Sequence, residues 1–111
     1  MQRYVPRKGE FIALSFGPQS GHEQKGRRPA LVVSNDLFNR HTGMAIVCPI
    51  STRRRGFPFH VAIPEDSKVS GCVMVEHVKS VDYRSRKARG IGKANSELLE
   101  EVLAILDACL Y

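Results

Sequence analysis

Short apolar segments, separated by glycine, proline and polar clusters, fill the first 94 positions of the chain. Segments of this kind, with partial alternation of apolar and polar residues and turn residues at their ends, are typical of β-strands. The predicted strands cover residues 10–16, 29–34, 44–50, 59–63, 72–75, 79–83 and a short piece at 91–92. Residues 72–75 and 79–83 are either two strands or one bent strand. Residues 35–39 carry turn chemistry and have room for one helical turn. The pattern therefore predicts a mainly β domain.

The hydrophobic period changes near the C-terminus, where apolar residues recur at helical spacing from Leu98 to Leu110. Asn95 or Ser96 can accept the free N–H groups of a first helical turn, and glutamates close to that end suit the helix dipole. We therefore predict one domain, residues 1–111, of mainly β (α+β) class. Its architecture would be a small curled sheet or barrel of five to seven strands with a C-terminal helix packed on it.

The composition, 42% hydrophobic and 25% charged, is that of an ordinary soluble globule. No segment approaches the roughly 20 apolar residues that span a bilayer. The first residues also lack the apolar core of a signal peptide. We therefore expect a cytoplasmic protein without membrane contact.

The charge is unevenly distributed along the chain. Residues 1–94 contain all 17 lysines and arginines and 7 acidic residues, a net charge of +10, whereas the remaining residues contribute −4. Such a basic region attracts polyanions, because binding them releases condensed counterions. The alternative is that the excess of cations only keeps the protein in solution.

Metal and cofactor chemistry find no support in the motifs. Cys48, Cys72 and Cys109 form no CxxC pair, and each lies in an apolar run, which predicts buried free thiols. The histidines are scattered without ligand spacing. The motifs of serine hydrolases, P-loop proteins and dinucleotide-binding proteins are also missing. We predict neither a metal nor another cofactor.

The densest chemistry lies in residues 21–30, a glycine-flanked loop directly before an apolar run. The loop contains an acid and an amide at Glu23 and Gln24, and Arg28 directly precedes Pro29. Because the residue before a proline is held extended, the backbone partly fixes the Arg28 guanidinium. A fixed arginine can bind two phosphate oxygens and stabilise charge that develops on them. The alternative is a surface arginine paired with Glu23.

Two further polar clusters suit a polynucleotide. Ser51 and Thr52 end the third predicted strand and precede arginines 53–55, so hydroxyl and guanidinium groups can contact phosphates together. The second cluster, residues 84–89, is basic and follows Tyr83, on which a base can stack. The alternatives are ordinary turn chemistry and solvated charged loops.

Four parts of the chain resemble the MazF/PemK family of toxin endoribonucleases. They are residues 3–10, residues 21–34 with the pattern G-x-E-Q…R-P-A-L-V-V-S, residues 42–59, and residues 69–86. The resemblance runs over nearly the whole chain at the family's spacing, and the E-Q…R-P block is its most specific part.

This resemblance implies a small SH3-like barrel of the PemK/CcdB kind, paired as a homodimer. It also implies ribosome-independent cleavage of single-stranded RNA at a short sequence. The implied partner is a MazE-like antitoxin whose acidic, disordered tail covers the RNA site. Acidic residues on such a tail would complement the basic part of this chain.

Carried over by position, the family's catalytic arginine falls on Arg28 and its loop acid on Glu23. Its catalytic hydroxyl, usually a threonine, falls on Ser51, and the adjacent Thr52 is a second candidate. The predicted reaction is metal-independent transesterification, in which the RNA 2′-OH attacks its own phosphate and leaves a 2′,3′-cyclic phosphate or 3′-phosphate and a 5′-OH. Glu23 and His22 are the candidate bases. The predicted RNA-binding residues are Gln24, Arg27, Arg53, Arg54, His77, Lys79, Arg84 and Arg86.

Two other functions stay open at this stage. One is a non-catalytic toxin of the same fold that acts on a topoisomerase. The other is a basic barrel that binds nucleic acid without cutting it. Either protein would leave RNA intact, and neither would need Arg28 next to a hydroxyl group.

Overall fold

The computed structural model describes residues 3–15, 27–53 and 56–111. The strands within these ranges are β1 (Glu10–Ser15), β2 (Arg27–Val32), β3 (Met44–Ser51), β4 (His60–Ala62), β5 (Cys72–Met74), β6 (Lys79–Asp82) and β7 (Arg89–Lys93). The helices are α1 (Asp36–Thr42) and α2 (Ser96–Leu110), and a 3₁₀ turn covers Val75–His77. Neither helix is long and apolar enough to cross a membrane.

All strand pairs are antiparallel, in the order β4-β5-β3-β2-β1-β7, and β6 is a branch that also pairs with β3. The predicted class, a mainly β fold with a C-terminal helix, is confirmed. In the described residues, however, the pairings do not run from β7 back to β4. The sheet is therefore open where the resemblance implied a closed barrel.

Two hydrophobic layers form because successive side chains of a strand point to opposite faces. On one face Leu31 packs in the same cluster as Val102 of α2. On the other face Leu14, Val47 and Tyr83 form a second cluster. All five side chains are almost completely buried, and a buried side chain of this size contributes about 1.5–3 kcal/mol. The two layers hold β1, β2 and β3 as a rigid base for the loops at their ends.

Capping residues explain where both helices begin and where α1 ends. The side chain of Asn95 accepts the Leu98 N–H at 2.7 Å, so Asn95, and not the alternative Ser96, caps α2. Asn35 caps α1 in the same way, accepting the Phe38 N–H at 2.8 Å. Gly43 ends α1 with a φ of 73°, a left-handed conformation that glycine adopts without strain. The helical turn predicted at 35–39 is thus a short helix that extends further.

The strand bounds differ from the sequence prediction at places where long-range pairing decides. β2 begins at Arg27 instead of residue 29 because Arg27 and Arg28 pair with Ser15 and Leu14 of β1. β7 is longer than the predicted 91–92 because β1 gives it a partner strand. Val75 leaves the strand predicted at 72–75 and enters the 3₁₀ turn. The strand assignment of residue 16 lies outside the described residues.

Candidate active site

An open cleft of about 960 Å³ lies where β2 begins and β3 ends. Its lining residues are Arg27, Arg28, Pro29, Pro49, Ile50, Ser51, Thr52, Arg53, Met74, Lys79 and Arg86. Five of them are lysine or arginine, and no acidic side chain of the described residues lines the cleft. Such a surface attracts a polyanion and repels a cationic ligand.

Arg28 and Ser51 both line this cleft. The pairing of β2 with β3 ends at Ala30 and Pro49, and Arg28 and Ser51 each lie two residues beyond that pair on their strands. There Arg28 pairs with Leu14 of β1, and Ser51 pairs with Cys72 of β5. The cleft at these strand ends therefore carries a guanidinium and a hydroxyl, two groups that bind phosphate oxygens.

The Ser51 hydroxyl is held by the turn that follows it. Its Oγ accepts the main-chain N–H of Arg53 at 3.1 Å, which leaves the hydroxyl hydrogen available to a ligand. Ser51 is half-buried, whereas Thr52 is exposed. Gly71 lies against this turn with a φ of 118°, and a Cβ there would collide with the Ser51 carbonyl oxygen. Of the two candidate hydroxyls, that of Ser51 has the more restricted position.

Arg27 and Arg86 brace the wall of the cleft. Nη1 of Arg27 donates to Ser15 Oγ and to the Lys87 carbonyl oxygen, both at 2.9 Å. Nη1 of Arg86 donates to the Ser15 carbonyl oxygen at 3.4 Å. Both arginines thus tie the end of β1 to the segment before β7. Arg28, in contrast, is exposed at the surface of the cleft.

Seven of the predicted site residues line the cleft together: Arg27, Arg28, Ser51, Thr52, Arg53, Lys79 and Arg86. Arg84 lies elsewhere, in a smaller pocket of about 240 Å³ that also contains Arg3, Tyr4 and Lys87. His77 does not line the cleft either; its Nε2 is 3.7 Å from a carboxylate oxygen of Glu76. Glu23, Gln24, Arg54 and the candidate base His22 lie outside the described residues.

Tyr83 has a structural role. Its ring is 2% exposed, and its hydroxyl donates to the main-chain oxygen of Asn39 at 2.9 Å. Tyr83 lines the pocket that contains Arg84, but a ring that is 2% exposed offers no face on which a base could stack, so the prediction of stacking on Tyr83 is wrong. The period-two alternation that placed Tyr83 at the end of a predicted strand was the signal for a core position.

The predicted thiols are free, and two of the three are buried. Cys48 and Cys72 lie inside the fold, but Cys109 is exposed on α2, so its predicted burial is wrong. Burial, and secondarily the charge of Glu76, raises the pKa of Cys48 to about 12, so this thiol stays neutral. No group of three or more histidine, cysteine or acidic residues in the described part of the chain is placed to hold a metal ion.

Sequence reasoning missed a polar contact behind the cleft. His60 Nε2 lies 2.6 Å from Glu76 Oε2. Burial opposes ionisation of Glu76, but a hydrogen bond from its own backbone, the hydrogen bond with His60 and the charges of His60 and His77 together lower its pKa. The residues are 16 positions apart and meet only because β4 pairs with β5. No local pattern in the sequence indicates this contact.

The fold and the cleft together define a small antiparallel β protein with a helix on one face and a cationic, hydroxyl-bearing cleft. The chain belongs to the family of PemK-like, MazF-like toxins of type II toxin–antitoxin systems, whose family model matches residues 7–110.

Individual relatives cover almost the entire chain. The endoribonuclease toxin MazF of Escherichia coli K12 is 34% identical over 110 residues, which are 99% of this chain and 98% of that protein. The endoribonuclease toxin ChpB of the same strain is 41% identical over 109 residues, 91% of this chain and 90% of that protein. A chain of the crystallised MazE–MazF complex of Deinococcus radiodurans superposes with a TM-score of 0.87 at 39% identity, covering 97% of both chains.

Proposed function

We propose that this chain is the toxin of a type II toxin–antitoxin system and acts as a sequence-specific, ribosome-independent endoribonuclease on single-stranded RNA. The observation that carries the proposal is that Arg28 and Ser51 both line one cationic cleft. The family description, a toxin, and the names of the relatives, endoribonucleases, support the same activity. Cleaving mRNA in the cytoplasm would stop translation and growth.

The chemistry follows from the groups that line the cleft. The RNA 2′-oxygen attacks the adjacent phosphorus and loses its proton to a base, for which Glu23 and His22 are the candidates. The bond from phosphorus to the 5′-oxygen breaks, and that oxygen takes up a proton. Arg28 would stabilise the charge on the pentavalent phosphorane, and the Ser51 hydroxyl would donate to a non-bridging oxygen. The products are a 2′,3′-cyclic phosphate, which water can open to a 3′-phosphate, and a 5′-OH.

The remaining cleft cations suit the RNA strand on either side of the reacting phosphate. Arg53 and Lys79 line the cleft with Thr52, and contacts of this kind hold a phosphate backbone in register. An antitoxin with an acidic, disordered tail would compete for the same charges and cover the site. We also propose that two copies of the chain pair as a homodimer.

Cleavage of labelled RNA by the purified protein tests this function directly. We expect cuts at a short sequence in the presence of EDTA, with 5′-OH ends, and no cutting of DNA, which lacks the attacking hydroxyl. The Ser51→Ala protein should be about 10²-fold slower, because it loses one donor to the transition state. Thr52→Ala is the matched control and should stay close to the wild-type rate.

Each alternative predicts a different result in this assay. RNA that stays intact while a topoisomerase is inhibited would favour a non-catalytic toxin. RNA that is bound but never cut would favour a plain nucleic-acid-binding protein. Wild-type rates in the Ser51→Ala, Thr52→Ala double variant would refute the assigned role of the hydroxyl but not the activity.

A further inference from the structure

The imidazole of His60 lies behind the turn that carries Ser51, and its side chain is only 5% exposed. Its Nε2 is 2.6 Å from Glu76 Oε2, and its Nδ1 is 3.7 Å from the Cys72 sulfur. None of these three residues lines the cleft. Both ring nitrogens of a nearly buried histidine therefore have polar partners that the proposed chemistry does not use.

The contacts have a direction. The Cys72 thiol donates to the main-chain oxygen of Arg53 at 3.3 Å, and its sulfur lies 3.7 Å from His60 Nδ1. On the other side of the ring, Nε2–H of His60 can donate to the Glu76 carboxylate. The contacts thus run in one series from Glu76 through His60 and Cys72 to the main chain of Arg53.

The series ends on the turn that positions the candidate catalytic hydroxyl. Arg53 receives the Cys72 thiol on its carbonyl oxygen, and its N–H donates to Ser51 Oγ at 3.1 Å. Gly71, the residue before Cys72, packs against the Ser51 carbonyl oxygen. The position of the turn is therefore set both by backbone packing and by a polar side-chain contact.

We propose that Glu76, His60 and Cys72 form a positioning relay that holds the Ser51–Arg53 turn and so aims the Ser51 hydroxyl at the reacting phosphate. The proposal rests on the proposed function, since it acts through Ser51. None of the three side chains needs to touch RNA. Removing a member lets the Arg53 peptide and the Ser51 side chain rotate together, and small misplacements of a reacting group are costly in rate.

Steady-state kinetics on a labelled RNA test the relay. We expect His60→Gln and Cys72→Ala each to lower kcat about 10-fold and to change KM by less than about twofold, because the cleft cations are untouched. Cys72→Ser keeps a hydrogen-bond donor at this position and should recover most of the rate. Wild-type kcat in both His60→Gln and Cys72→Ala would overturn the relay.

A matched variant separates positioning from general loss of stability. Val61 is the neighbour of His60 on β4, is 3% exposed and belongs to the hydrophobic layer that contains α2. Val61→Ala should lower the melting temperature but leave kcat unchanged at temperatures well below it. If Val61→Ala loses as much kcat as His60→Gln, the loss reflects instability and the relay is refuted.

The dependence on Ser51 is tested by combining variants. If the relay acts through the hydroxyl, His60→Gln should slow the Ser51→Ala protein no further. A further 10-fold loss in the double variant would show an independent role for His60 and overturn the proposal. A wild-type protein that cuts no RNA would instead refute the proposed function, so the two failures are distinguishable.

Discussion

Arg27 and Arg28 are adjacent in the chain but have different surroundings. The Arg27 guanidinium donates to Ser15 and to the main chain of Lys87, so it joins separate segments of the fold. Arg28 is exposed in the cleft, which Ser51 also lines. We infer that the first arginine mainly stabilises the site and the second mainly performs chemistry.

Lysine substitutions at these two positions should separate the roles. Arg28→Lys keeps the charge but loses the two-pronged guanidinium, so we expect about 10²-fold lower kcat and unchanged stability. Arg27→Lys loses hydrogen bonds to Ser15 and Lys87, and we expect the free energy of unfolding to fall by about 1 kcal/mol with a smaller effect on kcat. Steady-state kinetics measure kcat, and urea unfolding measures the free energy of unfolding, for both variants. Equal rate losses in both variants would contradict the division.

At the scale of elements, the pairing of β3 determines the position of the candidate site. One edge of β3 pairs with β2, and the other is shared, with Met44–Val47 facing β6 and Ile50 and Ser51 facing β5. The end of β3 therefore joins β2, which carries Arg28, and β5, which carries Cys72. Strand pairing alone thus brings the arginine, the hydroxyl and the positioning side chains together.

The contact of His60 on β4 with Glu76, which lies in the 3₁₀ turn after β5, should make stability depend on acid. Its pKa is lower in the folded protein, so its stabilising contribution is complete above roughly pH 4.3, where an unperturbed glutamate titrates, and is lost as the pH falls through the lower folded pKa. Urea unfolding between about pH 3 and pH 7 measures this loss. Glu76→Gln should weaken the acid dependence, whereas Glu100→Gln on α2 should retain it; identical curves for both variants would contradict the assignment.

The sequence was sufficient to locate the strands and helices but not to predict which side chains contact one another. Alternation and turn residues located every strand core, and helical spacing with a capping Asn95 located α2. The role of Arg28 came from its place before a proline and from family resemblance, and it stays a prediction. The contact of His60 with Glu76 and Cys72 had no local signal, because it depends on the register between β4 and β5. Burial of Tyr83 and exposure of Cys109 likewise depend on which face the fold covers.

At the scale of the molecule, the net charge of +6 conceals a separation of signs. The cleft contributes five cations, and the neighbouring pocket contributes Arg3, Arg84 and Lys87, joined to the cleft through the adjacent Arg86. Helix α2 carries only acidic charges. An RNA strand that leaves the cleft past Arg86 would next meet the pocket cations, which extends the predicted RNA path to Arg84.

The salt dependence of RNA binding tests this extended path. Each phosphate contact on a single strand adds about 0.7 to the slope of log affinity against log salt, so Arg84→Gln with Lys87→Gln should reduce the slope by roughly 1.4 on a long RNA. A short RNA that fills only the cleft should show no change. The control is Lys68→Gln with Lys93→Gln, two cations of a separate depression. Equal slope changes in both double variants would mean that RNA affinity depends only on the net charge of the protein, which would contradict the extended path.

Gly71 is a position at which the sequence of this toxin cannot change without disturbing the site. Its left-handed backbone and its closeness to the Ser51 carbonyl oxygen leave no space for any side chain. Replacing this glycine with an uncharged residue such as alanine would displace the turn without altering one ionic group. Such an allele would lose activity while every charged residue and every candidate reactive residue stayed in place.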